Sequence, residues 1–324
     1  MVNEALRLTN HEPTERLTLQ QRVNKVLVEH ALRIAPMLGG MVFRGEGRER
    51  VGIVVGREDE DVEILIDREG QNLSEESLTA LGEKYGLSFF VFSEHKSFMV
   101  GTGEPDCFLA LDPTENSDEY SKNTGTPLYH VAGFWSKDRS SMGAVCINLT
   151  DGKIYINLDG FNYELKQEPQ GVILIPFPPT PRIETIDDPN FIWASYVGKH
   201  KYKKFVDENL ETLDEHRHQH SSFHGKGGSH IYAHAAQNGT AYIMGHEPVA
   251  EIAPGYAFVK SADFTIANVS EDGTYAPVRF DPQYYYKNPD AYKTDRISFL
   301  VVAPTPSLAN EIIHEAFSKR LPGF

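Results

Sequence analysis

Apolar residues recur at helical spacing over residues 14–35, where Val23, Val26, Leu27, Ala31 and Ile34 share one face, before Pro36 and Gly39-Gly40 close the pattern. The spacing predicts one amphipathic helix. Three short apolar runs follow at 41–43, 51–55 and 62–66, separated by polar turns, and read as an antiparallel meander. Ser74, with Glu75 and Glu76 behind it, predicts a helix start; Leu78, Leu81 and Tyr85 supply its apolar face and Gly86 its stop. A strand is expected over 88–92. Residues 1–111 thus read as a small α+β domain.

Polar residues dominate 112–127, which has the composition of a loop or linker. Beyond it the pattern changes to short strands at 131–135, 144–149, 154–158, 163–165 and 172–175. Pro176, Pro178, Pro179, Pro181 and Pro189 then mark an extended crossing segment, because proline removes ladder donors and disfavours helix in its neighbours. A short helix is expected over 203–213. Runs at 231–236 and 240–244 flank Asn238-Gly239, a pair that supplies the positive φ angles of a type I′ hairpin. Further strands are expected at 249–252, 256–259, 263–269, 275–280 and 297–302. Thr305-Pro306 opens a last helix with Leu308, Ile312, Ala316 and Phe317 on its apolar face. The expected fold class is α+β: a small N-terminal α+β unit, then a larger, mainly antiparallel β-rich domain over 128–324 with a C-terminal helix.

Composition narrows the partners. The 324 residues carry 31 basic and 46 acidic side chains, a formal charge of −15, which argues against a broad nucleic-acid footprint. The basic run from Lys199 to Lys204 reads as a solvated helix start. Two cysteines, Cys107 and Cys146, cannot build a disulfide framework or a zinc knuckle, and indicate a reducing compartment. The N-terminus lacks a signal-peptide pattern, and no run approaches the roughly 18 apolar residues of a membrane span, so a cytoplasmic protein without a membrane partner is expected. Tyr284-Tyr285-Tyr286 and Tyr292 would cover a core edge or form a contact surface, compatible with a homo-oligomer.

Candidate chemistry concentrates in histidine: seven of the 13 fall between positions 216 and 246. Imidazole is the commonest protein ligand for zinc, iron and copper and titrates near neutrality. His216, His218 and His220 can chelate one ion in either an extended or a helical segment, with His230 or His234 completing the set. In the hairpin register His230 lies opposite Glu247, the candidate carboxylate ligand or general base. His224 is a further acid/base candidate. Lys226, among the glycines of Gly225-Lys226-Gly227-Gly228-Ser229, is a candidate anion-binding or electrophilic group. No GxSxG or HExxH pattern occurs. These residues point to a metal-dependent enzyme of zinc-hydrolase or non-haem-iron type, with its substrate undetermined. Two other readings stand beside it. One is a structural or protein-interaction module with a histidine-rich loop. The other is a metal-free enzyme using histidine as acid/base on a phosphorylated substrate.

Overall fold

The computed structural model describes residues 6–7, 17–53, 62–197, 228–270 and 274–317. In chain order the first elements are β1 (Leu6–Arg7), α1 (Leu19–Phe43), β2 (Arg50–Ile53), β3 (Val62–Ile64), α2 (Leu65–Tyr85), β4 (Phe89–Ser93), β5 (Phe98–Val100), β6 (Cys107–Glu115) and α3 (Ser117–Ser121). The strands β7 (Tyr129–Trp135), β8 (Ser141–Asn148), β9 (Ile154–Leu158), β10 (Phe161–Glu168), β11 (Gly171–Pro176) and β12 (Trp193–Val197) follow. The last part comprises α4 (Ile231–Asn238), β13 (Ala241–Pro248), a 3-10 turn (Val249–Glu251), α5 (Tyr256–Ser261), β14 (Thr265–Val269), β15 (Tyr275–Pro277), α6 (Pro282–Lys287), α7 (Pro289–Thr294), β16 (Arg296–Ala303) and α8 (Pro306–Phe317).

Alternation of buried side chains along the central strands explains the layering. On β6, Leu109 and Leu111 point into one core with Val23, Leu27 and Ile34 of α1 and Leu78 and Leu81 of α2. Tyr129, Val131, Ala144 and Cys146, on the opposite face of the same sheet, pack with Tyr232 and Ala236 of α4 and Phe258 of α5. Both faces are therefore covered, which is why these strands read as continuous apolar runs. The sheet has nine strands in the order β1-β11-β10-β9-β8-β7-β6-β4-β5. A second sheet, β12-β13-β16-β14-β15, lies beyond α4 and α5 and buries its far face under Leu308 and Ile312 of α8. The order of layers is helix, sheet, helix, sheet, helix. All described strand pairs are antiparallel except β4 with β6 and β12 with β13. The α+β class, the predominance of antiparallel pairing and the C-terminal helix are as the sequence predicts.

Several boundaries differ, each for an identifiable reason. Helix α1 runs through Pro36 and both glycines, so the strand expected at 41–43 is its last turn. Proline inside a helix costs about 3 kcal/mol, and tertiary packing offsets it: Leu38 is fully buried, and a Cβ on Gly39 would sit 3.4 Å from the Leu149 carbonyl oxygen. By length and composition α1 also matches a membrane span, an exception to the expectation that no run does; in this fold it is a core helix. Helix α2 starts at Leu65, where Asp67 Oδ2 accepts from the Ile64 amide at 3.0 Å. Ser74 lies inside it, its hydroxyl bonded back to the Gly70 carbonyl at 2.7 Å. The stretch 112–127 begins inside β6 and includes α3, and strands on both sides of it belong to the nine-stranded sheet.

The expected hairpin around Asn238-Gly239 is a helix followed by a strand. Residues 231–238 form α4, and Gly239 caps it with φ 70° and ψ 21°. A left-handed glycine suits a helix end as well as a type I′ turn. Burial all round α4, from Ile231, Tyr232 and Ala233 to Ala235 and Ala236, favours the helix. The strands expected at 249–252 and 256–259 are the 3-10 turn and α5. The helix expected over 203–213 lies outside the described residues. The final helix matches its prediction, with Thr305 Oγ1 accepting from the Leu308 amide at 3.2 Å.

Candidate metal centre

Strands β4 and β6 run parallel with Ser93 beside Leu111, so their carboxyl ends deliver acidic residues to one place: Glu94 just past β4, Asp112 and Glu115 at the end of β6. Carboxyl ends of parallel strands are where open α/β sheets place ligands. Glu251 comes from the other side, on the 3-10 turn after β13, which is held by the Val249 amide donating to the Asp295 carbonyl at 3.1 Å. One oxygen from each of Asp112, Glu115 and Glu251 falls within 4.8 Å of the others, the single such group of potential metal ligands among the described residues. Asp112 is 7% exposed and Glu115 4%.

The start of α4 closes over these carboxylates. The His230 amide donates to Glu115 Oε2 at 3.2 Å, and the Ser229 hydroxyl donates to the Glu251 carbonyl at 2.9 Å. Gly228 lets the acids approach the backbone: a Cβ there would fall 1.4 Å from Glu115 Oε1 and 2.7 Å from Glu251 Oε2, so both carboxylates would have to move. Asp67, at the start of α2, accepts from the Thr114 hydroxyl at 2.5 Å and also from the Ser117 side chain, so Thr114, between two of the acids, is tied to α2.

Burial, then the charges of Glu115, Glu94 and Glu251, holds the Asp112 carboxyl well above the usual carboxylate range. Burial pushes Glu115 up to about 7, against the His230 and Ser229 amides and a hydrogen bond with Glu251 that favour its ionised form. Two carboxyls joined by a hydrogen bond must share a proton, because like charges at that separation cannot both remain ionised. A divalent cation held there would supply the same neutralisation with more charge. Two further atoms fit an occupied site. The hydroxyls of Tyr232 and Tyr292 are buried and have no hydrogen-bond partner among the described residues. The charges bearing on them come chiefly from Glu115 and Glu251 for Tyr232, and from Asp112, Glu251 and Glu94 for Tyr292. An all-carboxylate donor set with hydroxyls around it suits a hard cation that keeps oxygen ligands.

The histidine expectations fall in two groups. His216, His218, His220, His224 and Lys226 lie outside the described residues. His230 stands at the N-terminus of α4 and stacks on Tyr129, ring centroids 4.2 Å apart. Its Nδ1 lies 3.4 Å from Glu115 Oε2 without forming a hydrogen bond, and burial lowers it to about 3. His234 is one helical turn on, its Nε2 3.2 Å from the Tyr129 hydroxyl; burial first, then His230, lowers it to about 4. Glu247 is buried on β13 and pairs with Ile297 of β16, so the expected register between His230 and Glu247 does not form. The carboxylate that His230 approaches is Glu115. Sequence reasoning passed over Asp112, Glu115 and Glu251, because the first two open a stretch of loop-like composition. The available signal was an apolar strand, 107–111, ending directly in Asp112, with Glu115 three residues on.

No protein-family model matches the chain, and no curated protein matches it significantly. Solved structures do. The extragenic suppressor protein suhB from Bartonella henselae superposes with TM-score 0.62 at 12% identity, over 91% of this chain and 98% of that one. An inositol monophosphatase from Anabaena (Nostoc) sp. gives 0.58 at 10% identity, over 93% and 98%. An IMPase/NADP phosphatase complexed with NADP and Ca2+ gives 0.61 at 12% identity, over 92% and 96%. At these identities the likeness is one of fold.

Proposed function

We propose that this chain is a metal-dependent phosphatase acting on phosphate monoesters. The observation that carries the reading is the convergence of Asp112, Glu115 and Glu251 within 4.8 Å in a buried setting. The fold shared with inositol monophosphatases and with an IMPase/NADP phosphatase bound to Ca2+ supports the same chemistry here. Asp112, Glu115 and Glu251, with Glu94 adding charge, would hold one or more hard divalent cations, Mg2+, Mn2+ or Ca2+ in preference to zinc or iron. Such an ion polarises a phosphoryl oxygen and lowers the pKa of a bound water.

The protein's own groups supply the rest. Asp67 accepts from the Thr114 hydroxyl behind the sheet and also from the Ser117 side chain and, with its carboxyl raised by burial, is placed to take a proton passed through Ser117. The amides at the start of α4 point toward the acids, and the positive end of that helix favours an anionic substrate. The buried tyrosine hydroxyls are donors suited to phosphoryl oxygens. A cytoplasmic setting belongs to this reading, consistent with Cys107 and Cys146 being buried and unpaired.

The test measures phosphate release from inositol 1-phosphate, NADP and 4-nitrophenyl phosphate with and without Mg2+. The wild-type chain is expected to be active only with the cation. Glu115→Gln and Asp112→Asn should each lower kcat/KM by about 100-fold or more. Phosphatase activity that survives chelation and both substitutions would overturn the proposal, as would inactivity on every ester with Mg2+ demonstrably bound.

A further inference from the structure

Asp112 and Glu115 are three residues apart on one strand, a spacing that sends side chains to opposite faces of a regular sheet. They converge because β6 carries one extra residue between them. Asp112 pairs with Val131 and Glu115 with Tyr129, three steps on β6 against two on β7. This bulge turns Pro113 and Thr114 toward the α1 and α2 layer and leaves both acids on the other face. A Cβ on Gly70 of α2 would lie 3.0 Å from Thr114 Cγ2 and 3.2 Å from the Pro113 carbonyl oxygen.

The residue of β7 opposite the bulge is His130, and its ring is fully buried. His130 Nδ1 lies 3.0 Å from the Pro113 carbonyl oxygen, and its Nε2 lies 3.0 Å from His30 Nε2 on α1. His30 Nδ1 lies 3.0 Å from the Ser77 hydroxyl on α2. A carbonyl can only accept, so His130 Nδ1 carries the hydrogen, and in the neutral ring Nε2 accepts. His30 then donates from Nε2 and accepts at Nδ1 from Ser77. One backbone carbonyl therefore fixes the direction of all three bonds, and no proton position is left arbitrary.

We propose that His130, anchored by His30 and Ser77, is a positioning residue for the metal centre: it holds the Pro113 carbonyl and with it the bulge that brings Asp112 and Glu115 together. The inference rests on reading the acidic group as a cation site. Repulsion between the acids works to pull them apart, and the bulge removes the Pro113 carbonyl from the regular ladder. A buried carbonyl needs a donor. His130, on the neighbouring strand, supplies it on the face that α1 and α2 cover, so residues of two helices anchor the group that holds the bulge.

The experiment is calorimetric titration of the full chain with Mg2+ alone, in wild type, His130→Asn and His130→Gln, with thermal melts of each. The asparagine amide takes the place of Nδ1 and keeps the bond to Pro113. The glutamine amide reaches toward the Nε2 position and loses it. His130→Asn should bind Mg2+ within about threefold of wild type, and His130→Gln about 10-fold to 100-fold more weakly, the range for outer-shell partners of metal ligands. Ser77→Ala, which cuts the far end of the relay without touching the sheet, should weaken binding about 10-fold, the low end of that range, even if the glutamine variant does not fold. Equal Mg2+ affinity in wild type and all folded variants, whatever their melting temperatures, overturns the positioning role and leaves the cation site standing. Failure of the wild-type chain to bind Mg2+ overturns the site and this inference with it.

Discussion

His30 and His130 show how burial converts an ordinary residue into a pH liability. Both rings are fully enclosed, and burial lowers His130 to about 4 and His30 well below its usual value, the latter also through the charge of His130. A histidine whose folded value lies beneath the unfolded one, near 6.5, is destabilising once it must charge. Its stability is complete above pH 6.5 and is lost as pH falls from 6.5 through about 4. For His130 alone this loss is on the order of 3 kcal/mol. Glu115 works in the opposite sense: its folded value of about 7 lies above the unfolded value near 4.5, so stability present below 4.5 is lost as pH rises through 7. In thermal melts of metal-free protein, His130→Asn should flatten the decline between pH 6.5 and 4, and Glu115→Gln the decline between pH 4.5 and about 7. Slopes identical to wild type would contradict the assigned protonation states.

At the scale of elements, the site depends on close backbone approach between α4 and α5. A Cβ on Gly255 would lie 2.1 Å from the Ser229 carbonyl oxygen and 2.8 Å from Tyr232 Cδ2, so both contacts require a glycine there. Ser229 in turn holds the Glu251 backbone through its hydroxyl. Gly255→Ala should therefore cost about 1–3 kcal/mol in urea unfolding, as overpacking does, and also weaken Mg2+ binding by displacing Glu251. A stable variant with wild-type Mg2+ affinity would show that α4 does not position the acid. Helix α2 makes a similar approach at Gly70, where the bulge of β6 lies against it.

The whole molecule explains why the acids are so deeply placed. The nine-stranded sheet is sandwiched between α1 with α2 and α4 with α5, and the candidate metal ligands come from both sides of residue 176: Asp112 and Glu115 before it, Glu251 after it. A chain ending at Pro176 would keep the first core yet expose Tyr129, Val131, Ala144 and Cys146, now covered by later elements. Such a fragment should aggregate in size-exclusion chromatography and bind no Mg2+ in calorimetry. A monodisperse fragment with a cooperative melt would show instead that residues 1–176 fold alone, a unit larger than the 1–111 domain read from the sequence.

Local pattern decided a good part of this architecture. Alternation and turn chemistry placed β4, β7, β8, β9, β14 and β16 to within a few residues, Gly86 stopped α2, and Thr305-Pro306 began α8, because these depend on neighbours close in the chain. Where local signals were ambiguous, packing chose. Gly239 serves a helix cap or a hairpin, and the enclosed apolar surface of α4 selected the cap; Pro36 should end α1, and burial of Leu38 carried the helix past it. The site was the least legible part. Histidine density marks metal chemistry only where the side chains converge, and most of that cluster lies outside the described residues; the acids that converge among the described residues lie at 112, 115 and 251, held by a bulge, a parallel strand pair and a turn from a different sheet. Residue types and their order along the chain belong to the sequence. The meeting of three acids in a low-dielectric pocket is a property of the tertiary fold, because only long-range packing can supply the free energy that brings like charges together.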